Sequence, residues 1–372
     1  MQVGAHTRER LRVVIPSTPW CRVAADGALV INAYISGTGF YVPPRVVTND
    51  DLVRDFGMET SDEWIQQRTG IRERRFADDG VGSADLGAHA AKAALEQAGL
   101  EPQDLDMIVF ATLSPEHCFP GSGVFLQRQL GLTEGKRVKY VPCLDIRNQC
   151  SGFLYGTQVA SALIQSRQCK HVLLVGAETH SHALDLTTRG RTVASLFGDG
   201  AGAAVFSATE EDRGVRGVWL GADGSHAEVL AQRIWDIRKF PFVPLDEEGK
   251  GHIEPEILYA QMDGKTVFKH AVTKMSGALF QALGETRLGL GDIDLFLFHQ
   301  ANKRINEYVA QKLGIPNEKL VHNIERYGNT TAATIPILMA ESVRDGKLVR
   351  GMKVAMVAFG SGFTWGSAIL DW

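Results

Sequence analysis

The second half of this 372-residue sequence repeats the pattern of the first half. In the first half, a helical stretch at about 83–100 leads through an acidic turn to the apolar segment DLDMIVFAT at 104–112. In the second half, a helical stretch at about 266–286 leads through GLGD to DIDLFLFHQ at 292–300. A solenoid would repeat every ~20–50 residues, so a period of half the chain indicates a duplicated α/β unit.

Each half then continues with a turn, a helix of small residues and a last strand. In the first half, Cys150 precedes the helix SGFLYGTQVASALIQS and the strand HVLLVGAE at 171–178. In the second half, Asn329 precedes TTAATIPILMAESVRD and KVAMVAFGSG at 353–362. Two copies related by a pseudo-two-fold axis would bring Cys150 and Asn329, at equivalent helix N-termini, close together. His299 ends a strand of the second half, where open α/β sheets bind their ligands.

The composition is that of a globular protein with a large core, with 44% hydrophobic and 22% charged residues. The net charge of -4 and the pI near 6.3 give no bulk electrostatic reason to expect nucleic acid. No apolar run reaches the roughly 20 residues that a membrane span needs, so no membrane insertion is expected. We divide the chain into an N-terminal extension, 1–30, a first half, 31–208, and a second half, 209–372.

The five cysteines include no CxxC pair and therefore indicate neither a disulfide framework nor a zinc ribbon. This usage fits a reducing cytoplasm. Cys21, Cys143 and Cys169 are best explained as small buried hydrophobic residues. The first thirty residues carry four arginines but lack the sustained apolar segment of a signal peptide, so we expect them to lie outside the fold.

Cys150 stands between the polar run DIRNQ and the start of a small-residue helix. A helix N-terminus carries a partial positive charge and free N–H groups, which favour a thiolate and lower the pKa of a cysteine. The same N–H groups can bind the oxyanion that forms when a thiolate attacks a thioester. Taken alone, Cys150 fits an unreactive buried thiol equally well.

Two polar residues accompany Cys150 on the same predicted face. His299 follows four apolar residues in LFLFHQ, and Asn329 follows a glycine in RYGNTT. Singly, each has a structural explanation, as a hydrogen-bonded strand-end histidine and as a helix N-cap. Their convergence with Cys150 on strand ends and helix starts predicts a site containing all three residues.

Other patterns give weaker indications. His180 and His182 have HxH spacing, but no further ligand cluster accompanies them, so no metal site is predicted. The glycines of FGDGAGAAVF lack the Lys and Ser/Thr of a P-loop and are better explained by close packing. The basic run RTGIRERR is expected to face solvent, although Trp64 and Arg68 are spaced to contact a nucleotide-bearing thioester.

Six motifs together resemble the β-ketoacyl-[acyl-carrier-protein] synthase III family of the thiolase superfamily, in the order of that family, from about Ile31 to Trp372. The motifs are SDEWIQQRTGIRER at 61–74, QCSGF around Cys150, FGDGAGAAV at 197–205, HQANKRI at 299–305, RYGNTTAATIP at 326–336 and GSGFTWG at 360–366. The resemblance implies an α/β, duplicated thiolase-like fold with five layers, αβαβα, and two pseudo-symmetric halves.

The resemblance also implies a reaction. Cys150 would take an acyl group from an acyl-CoA, and a malonyl-acyl carrier protein would lose CO2 and attack the acyl-enzyme to give a 3-ketoacyl product. Neutral His299 and Asn329 would donate hydrogen bonds to the malonyl thioester oxygen as it becomes enolate-like. No metal or organic cofactor is implied, because the thioester supplies the activation.

Contacts with substrates and partners follow by the same resemblance. Trp64, Arg68 and Arg191 match residues that contact the CoA nucleotide. Phe119 matches a residue that crosses a homodimer interface to close the acyl pocket of the partner. The backbone around Ser361 would complete an oxyanion hole with the Cys150 N–H. The residues that match an acyl-carrier-protein surface, two of them basic, are Gln300, Ala301, Asn302, Lys303 and Arg304.

Two features depart from many members of that family. Asn148 and Gln149 are polar where small apolar residues are common, and the segment 225–262 looks long. Both changes would reshape the acyl tunnel or its mouth, so they leave open a second hypothesis. This is an acyltransferase or condensing enzyme of secondary metabolism, with the same fold, that passes the acyl group to a different acceptor.

Two further hypotheses are weaker. A cysteine hydrolase would share the order Cys, His, Asn, but the papain-type signature around the cysteine is absent and a duplicated α/β pattern does not suit that fold. A non-catalytic acyl-CoA-binding protein would be expected to have lost at least one of Cys150, His299 and Asn329, and all three are present.

Overall fold

The computed structural model describes residues 30–372, apart from the single positions 136, 235, 237, 240, 242 and 244. The extension predicted for residues 1–30 therefore lies outside the described residues, except for Val30. Cys21 lies outside them as well.

The strands form two mixed sheets and two short hairpin-like pairs. In chain order they are β1 Asn32–Tyr41, β2 Val46–Thr48, β3 Glu73–Arg75, β4 Met107–Ala111, β5 Cys143–Ile146, β6 His171–Glu178, β7 Gly200–Thr209, β8 Gly214–Ala222, β9 Leu230–Ala231, β10 Gln261–Met262, β11 Leu295–Phe298, β12 Lys353–Gly360 and β13 Thr364–Asp371. The first sheet has the order β1-β7-β6-β4-β5 and the second has the order β11-β12-β13-β8.

The two sheets share one pattern of strand directions. In the first, β4 is parallel to β6, and β7 is antiparallel to both β6 and β1. In the second, β11 is parallel to β12, and β13 is antiparallel to both β12 and β8. The first sheet ends with β5, parallel to β4. At the corresponding edge of the second sheet there is a single parallel bridge between Phe296 and Leu320.

The helices connect these strands. In chain order they are α1 Asn49–Phe56, α2 Asp62–Thr69, α3 Ser83–Ala98, α4 Ser122–Gln129, α5 Gly152–Gln165, α6 Arg191–Ala194, α7 Pro255–Leu258, α8 Gly264–Thr286, α9 Lys303–Leu313, α10 Ile324–Tyr327 and α11 Thr334–Arg344. A 3₁₀ turn at Gln149–Ser151 leads into α5, and a second one at Thr331–Ala333 leads into α11. We call them the cysteine turn and the threonine turn.

Burial defines five layers. The central core cluster joins Leu154 of α5 and Leu338 of α11 to Leu174 of the first sheet and Met356 of the second. A second cluster packs α3 on the other face of the first sheet. A third packs α8 and α9 on the other face of the second sheet. The predicted αβαβα arrangement is confirmed, and α5 and α11 need small or apolar residues on nearly every side because they lie between two sheets.

The repeat predicted for the two halves is real, but its register differs from the prediction. The cysteine and threonine turns have a left-handed residue at the same position, Gln149 with φ 46° and Thr331 with φ 49°. By this match Cys150 is equivalent to Ala332, and Asn329 lies before the threonine turn. The pattern of small residues after each turn is similar enough to align the helices but not to fix their starts.

Two other sequence interpretations can be checked here. The glycine-rich segment forms β7, and a Cβ on Gly202 would lie 2.5 Å from the backbone nitrogen of Ile337, so close packing does explain the glycine. The solvent-facing interpretation of RTGIRERR is wrong for Arg74, which is fully buried. Its guanidinium donates to the carbonyls of Val47 and Ser195, and burial lowers its pKa to about 10.

Candidate active site

Cys150 lies in the cysteine turn and is only 7% exposed. The neighbouring strand end approaches it so closely that a Cβ on Gly360 would lie 2.6 Å from the Cβ of Cys150. Any larger residue at position 360 would therefore displace the thiol. Ser151, next along the turn, shares a 2.8 Å hydrogen bond with Thr364, which ties the turn to the second sheet.

The electrostatics of Cys150 differ from the sequence expectation. Burial, and next the nearby Glu178 carboxylate, raise the pKa of Cys150 to about 12. The backbone N–H groups of Cys150 and Ser361 act in the opposite direction and lower that pKa. The backbone N–H groups thus lower the pKa of Cys150, as expected at a helix N-terminus, but burial raises that pKa by more. The resting group is a thiol.

His299 directly follows β11, as predicted. Its backbone N–H donates to the carbonyl of Val357 across 2.8 Å, and its ring is 2% exposed. Nδ1 shares a 2.6 Å hydrogen bond with the hydroxyl of Thr334, whereas Nε2 is buried and has no partner among the described residues. Burial lowers the pKa of His299 to about 3, so the imidazole is neutral at physiological pH.

Asn329 is held by its backbone and by one end of its amide. Its N–H donates to the carbonyl of Leu196, and its own carbonyl accepts from Gly198. Oδ1 accepts a 2.9 Å hydrogen bond from the N–H of Thr331. This contact assigns the amide orientation, because only the oxygen can accept, and it leaves the Nδ2 group as the donor. Gly328 permits the entry into this bend with φ 64°, where a Cβ would lie 2.7 Å from the Leu196 carbonyl.

A cavity of about 120 Å³, the smaller cavity, is lined by Cys150, His299 and Asn329 together. The convergence predicted from the sequence is therefore present in the structure. Phe359 and Gly360 line the same space. A second, larger cavity of about 970 Å³ also reaches Cys150 and is lined partly by Gln149 and Ser361. Cys150 thus borders both cavities.

Trp64, Arg68 and Arg191 are clustered. The guanidinium carbons lie over the Trp64 ring, 4.3 Å from its centroid for Arg68 and 5.4 Å for Arg191. Arg191 also donates to the carbonyl of Glu59 across 2.8 Å. The arrangement combines an aromatic face with two cations, which suits a phosphorylated nucleotide.

The segment 300–304 divides into three parts. Ala301 and Asn302 line the smaller cavity, and Asn302 also caps α9 and donates to the Arg68 carbonyl across 3.0 Å. Lys303 and Arg304 are the residues of this segment that present charge at the surface. The prediction that Gln300 belongs to a surface for the carrier protein is wrong, because Gln300 is fully buried. Its side chain donates to the carbonyl of Phe298 and accepts from the N–H of Asn323.

The structure also locates the remaining predicted positions. Phe119 is 82% exposed and lines neither cavity, so it does not close the pocket of its own chain. The Ser361 hydroxyl donates to the carbonyl of Leu230. The long segment 225–262 contributes Leu230, Leu258 and other residues to the wall of the larger cavity. The segment therefore borders a space that reaches Cys150, which is where a tunnel for the acyl group was expected.

Sequence reasoning missed Glu178 and Thr334. Glu178 ends β6 fully buried, accepts from the hydroxyls of Thr112 and Ser114, and has its pKa raised by burial to about 7. An ionisable residue at the end of an apolar strand is the criterion that selected His299, so it would have found Glu178 too. Thr334 had no such signal, because a threonine at a helix start is commonly a cap.

The His180 and His182 pair does not act together. His180 is buried and hydrogen-bonded through Nε2 to the Thr331 hydroxyl, while His182 is exposed. Across the residues that the structure describes, no group of three or more His, Cys, Asp or Glu side chains is arranged to hold a metal ion. In the same part of the chain, no helix is both long and apolar enough to cross a membrane.

Comparison with known proteins agrees with this geometry. The chain matches the family described as 3-oxoacyl-[acyl-carrier-protein (ACP)] synthase III over residues 144–224, and its C-terminal counterpart over residues 283–372. The beta-ketoacyl-[acyl-carrier-protein] synthase III of Brucella canis is 42% identical over 351 residues, which cover 92% of this chain and 100% of the relative.

Solved structures show the same likeness. The 3-oxoacyl-[acyl-carrier-protein] synthase III of Aquifex aeolicus VF5 superposes with a TM-score of 0.80 at 38% identity, covering 91% of this chain and 100% of that one. The priming beta-ketosynthase of the R1128 polyketide biosynthetic pathway superposes with a TM-score of 0.80 at 30% identity, covering 95% and 98%.

The fold and the surroundings of Cys150 are those of a thiolase-like condensing enzyme. The chain belongs to the β-ketoacyl-[acyl-carrier-protein] synthase III family. The resemblance inferred from the six motifs is thereby confirmed.

The protonation state of Cys150 can be tested by its rate of alkylation with uncharged iodoacetamide. Because the raised pKa keeps the thiol protonated, the rate should increase about tenfold for each pH unit between pH 7 and pH 9. The rate is measured by mass spectrometry of the Cys150 peptide, and the exposed Cys118 in the same digest serves as the control for the reagent. A plateau below pH 8 would show that the N–H donors outweigh burial.

Proposed function

We propose that this protein condenses an acyl-CoA with malonyl-acyl carrier protein to give a 3-ketoacyl-acyl carrier protein, CO2 and free CoA. The observation that carries the proposal is the smaller cavity, whose wall contains Cys150, the neutral imidazole of His299 and Asn329 with its oriented amide. Thioester carbonyls are activated already, so the proposed reaction requires no metal or organic cofactor.

In the first half-reaction, the sulfur of Cys150 attacks the acyl-CoA carbonyl. The new S–C bond replaces the bond to the CoA sulfur, and the thiol proton leaves on CoA. The tetrahedral oxyanion would be bound by the N–H groups of Cys150 and Ser361, the two backbone groups that lower the pKa of the thiol. Burial favours this arrangement because hydrogen bonds to a developing charge are stronger where water is excluded.

In the second half-reaction, the malonyl thioester loses CO2 and its oxygen acquires negative charge. The Nδ2 group of Asn329 donates to that oxygen, and His299 assists through Nε2. The resulting carbanion attacks the acyl carbon on Cys150, the bond to the sulfur breaks, and the thiolate takes a proton to regain its resting state. Because both donors are neutral, they do not form an ion pair with the malonate carboxylate that would hold it in place.

We further propose that the CoA nucleotide binds at Trp64, Arg68 and Arg191. The hydrogen bond from Asn302 to the Arg68 carbonyl supports this, because Asn302 also lines the smaller cavity. One residue therefore links the aromatic and cationic cluster to the reaction space. A pantetheine arm extending from that cluster would approach Cys150 past Ala301 and Asn302.

The carrier protein is proposed to dock on the start of α9. Lys303 and Arg304 place two cations there, beside exposed Arg68, and Arg304 donates to the Gln67 carbonyl across 3.1 Å. A local basic patch on a chain of net charge -4 suits an acidic partner. Gln300 takes no part in this surface, since it is buried.

A homodimer in the cytoplasm completes the proposal. The edge strand β5 exposes Leu144, and nearby loops expose Phe119 at 82% and Tyr140 at 81%. Large aromatic side chains exposed beside an unpaired strand edge suit an isologous interface between two copies. In such a dimer Phe119 would be available to the larger cavity of the partner subunit.

Condensation is tested by supplying acetyl-CoA and malonyl-acyl carrier protein and measuring CO2 and 3-ketoacyl product. We expect both products in equal amounts. Asn329→Ala should still form the acyl-enzyme but decarboxylate roughly 100- to 1,000-fold more slowly, because one oxyanion donor is lost. An acyl-enzyme that malonyl-acyl carrier protein cannot discharge would contradict the proposal and favour the different-acceptor hypothesis.

The docking surface is tested by Lys303→Glu. Reversal of this charge should raise the KM for malonyl-acyl carrier protein roughly five- to thirty-fold, about 1–2 kcal/mol, and leave the KM for acetyl-CoA nearly unchanged. Lys312→Glu, in the last turn of the same helix, is the matched control and should have little effect. Equal effects of the two substitutions would locate the carrier protein elsewhere.

A further inference from the structure

The larger cavity is the space left for the acyl group in the proposed reaction. The pantetheine arm of CoA would reach Cys150 through the smaller cavity, past Ala301 and Asn302. An acyl chain bonded to the Cys150 sulfur would then extend into the larger cavity, which Cys150 also borders. At about 970 Å³ that space far exceeds what an acetyl group fills, and it lies in the range of small-molecule pockets, ~300–1,000 Å³.

Three polar side chains line the larger cavity close to Cys150, and we call them the polar wall: Gln149, His180 and Thr331. Gln149 directly precedes the cysteine, and Thr331 belongs to the threonine turn. His180 Nε2 is hydrogen-bonded to the Thr331 hydroxyl, and its ring centroid lies 4.8 Å from that of Phe197, which lines both cavities. The polar wall therefore lies at the end of the cavity where the acyl chain would start.

The polar wall has hydrogen-bonding groups that the protein does not use. His180 is 7% exposed, and its contact with Thr331 is the one hydrogen bond that its ring makes among the described residues. Its Nδ1 therefore lacks a partner there. Gln149 is half-buried, and its carboxamide makes no hydrogen bond within the described part of the chain. Polar groups withdrawn from bulk water favour a ligand that supplies the missing hydrogen bonds.

The polar wall is also neutral. Burial lowers the pKa of His180 to about 3, so its imidazole is uncharged at physiological pH, and the amide and hydroxyl beside it carry no charge. The carboxyl oxygen Oε2 of Glu178 lies 3.9 Å from His180 Nε2. An acyl chain with a carboxylate would thus meet a carboxyl group and no cation of the polar wall. A hydroxyl or a ketone can pair with an amide and an imidazole.

Two arginines elsewhere in the larger cavity do not alter this preference. Arg128, in α4, and Arg147, after β5, line the cavity and are both exposed. The same wall includes two carboxylates, those of Asp85 and Glu116. Positive and negative side chains are therefore mixed in that part of the cavity, and solvent screens exposed charges.

We propose that the larger cavity selects acyl groups that carry a neutral oxygen substituent, a hydroxyl or a ketone, and that Gln149 and His180 determine this specificity. This inference deepens the proposed function and rests on it. The acyl transfer itself is unchanged, because the new bond still forms between the acyl carbon and the Cys150 sulfur and the thiol proton still leaves on CoA. The oxygen substituent takes part in no bond that forms or breaks and is held by hydrogen bonds to the polar wall.

The test compares acyl-CoAs in which a methyl group replaces the oxygen. 3-Hydroxybutyryl-CoA is paired with 3-methylbutyryl-CoA, and 5-oxohexanoyl-CoA is paired with 5-methylhexanoyl-CoA. The rate of acyl transfer to Cys150 is measured by intact mass over a range of acyl-CoA concentrations. In at least one pair, kcat/KM should be roughly three- to tenfold higher for the oxygenated member, because its apolar counterpart leaves the polar wall unpaired.

Two variants and a matched control assign the preference to the polar wall. His180→Leu and Gln149→Met replace the polar groups by apolar ones of similar size, and each should abolish the preference. His171→Leu is the control, because His171 is a half-buried histidine whose Nδ1 shares a 2.9 Å hydrogen bond with the Ser207 hydroxyl. His171 begins β6, at the end of the strand away from Glu178, and lines neither cavity, so its variant should keep the preference.

Several outcomes would overturn the inference. One is equal or faster loading of the apolar member of both pairs in the unsubstituted protein. Another is fastest loading of glutaryl-CoA, which has a carboxylate where 5-oxohexanoyl-CoA has a ketone. A preference that is unchanged in Gln149→Met and His180→Leu would also refute it, and Gln149→Met alone decides this point if His180→Leu fails to fold.

The failure of this inference is distinguishable from the failure of the proposed function. If acetyl-CoA and malonyl-acyl carrier protein are condensed but no oxygenated acyl group is preferred, the specificity is refuted and the proposed function stands. If no acyl-CoA transfers its acyl group to Cys150, both are refuted.

Discussion

The close approach of the cysteine turn and the threonine turn is the constraint on which the site depends. A Cβ on Gly152, directly after the cysteine turn, would lie 3.5 Å from the Cβ of Ala332 in the threonine turn. Glycines of the two sheets leave room for the turns: a Cβ on Gly176 of β6 would lie 2.4 Å from the Ala332 carbonyl, and one on Gly360 of β12 would lie 2.6 Å from the Cβ of Cys150. Because α5 and α11 are held between two sheets, the turns cannot separate without opening the core. A cysteine from one half therefore meets a histidine and an asparagine from the other.

The same burial decides the electrostatics. It keeps Cys150 as a thiol and His299 as a neutral imidazole, raising the pKa of the first to about 12 and lowering that of the second to about 3. In the proposed reaction, the site therefore works through neutral donors that face charge developing during the reaction. Such preorganised donors require no reorientation when the oxyanion or the enolate forms, which is the main advantage of a buried polar site.

Much of this could be predicted from the sequence. The half-chain repeat predicted the duplicated fold, and helix and strand positions such as α3, β6 and β12 agree with the apolar patterns. Cys150, His299 and Asn329 were found because strand ends and helix starts are where such folds place their sites.

The predictions that failed concerned residues whose surroundings come from parts of the chain distant in sequence. Arg74 and Gln300 are polar but buried, and only the carbonyls and N–H groups around them explain why. The pKa of Cys150 was predicted in the wrong direction because a sequence shows the helix start but not the sheets that cover it.

The central claim is that the buried Cys150 thiol carries the acyl group. The most direct test is the intact mass of the protein after exposure to a ladder of acyl-CoAs, beside the Cys150→Ala variant. The account predicts an increase equal to one acyl group in the unsubstituted protein, for those chain lengths that the site accepts, and no increase in Cys150→Ala. An increase of the same size that persists in Cys150→Ala would contradict it.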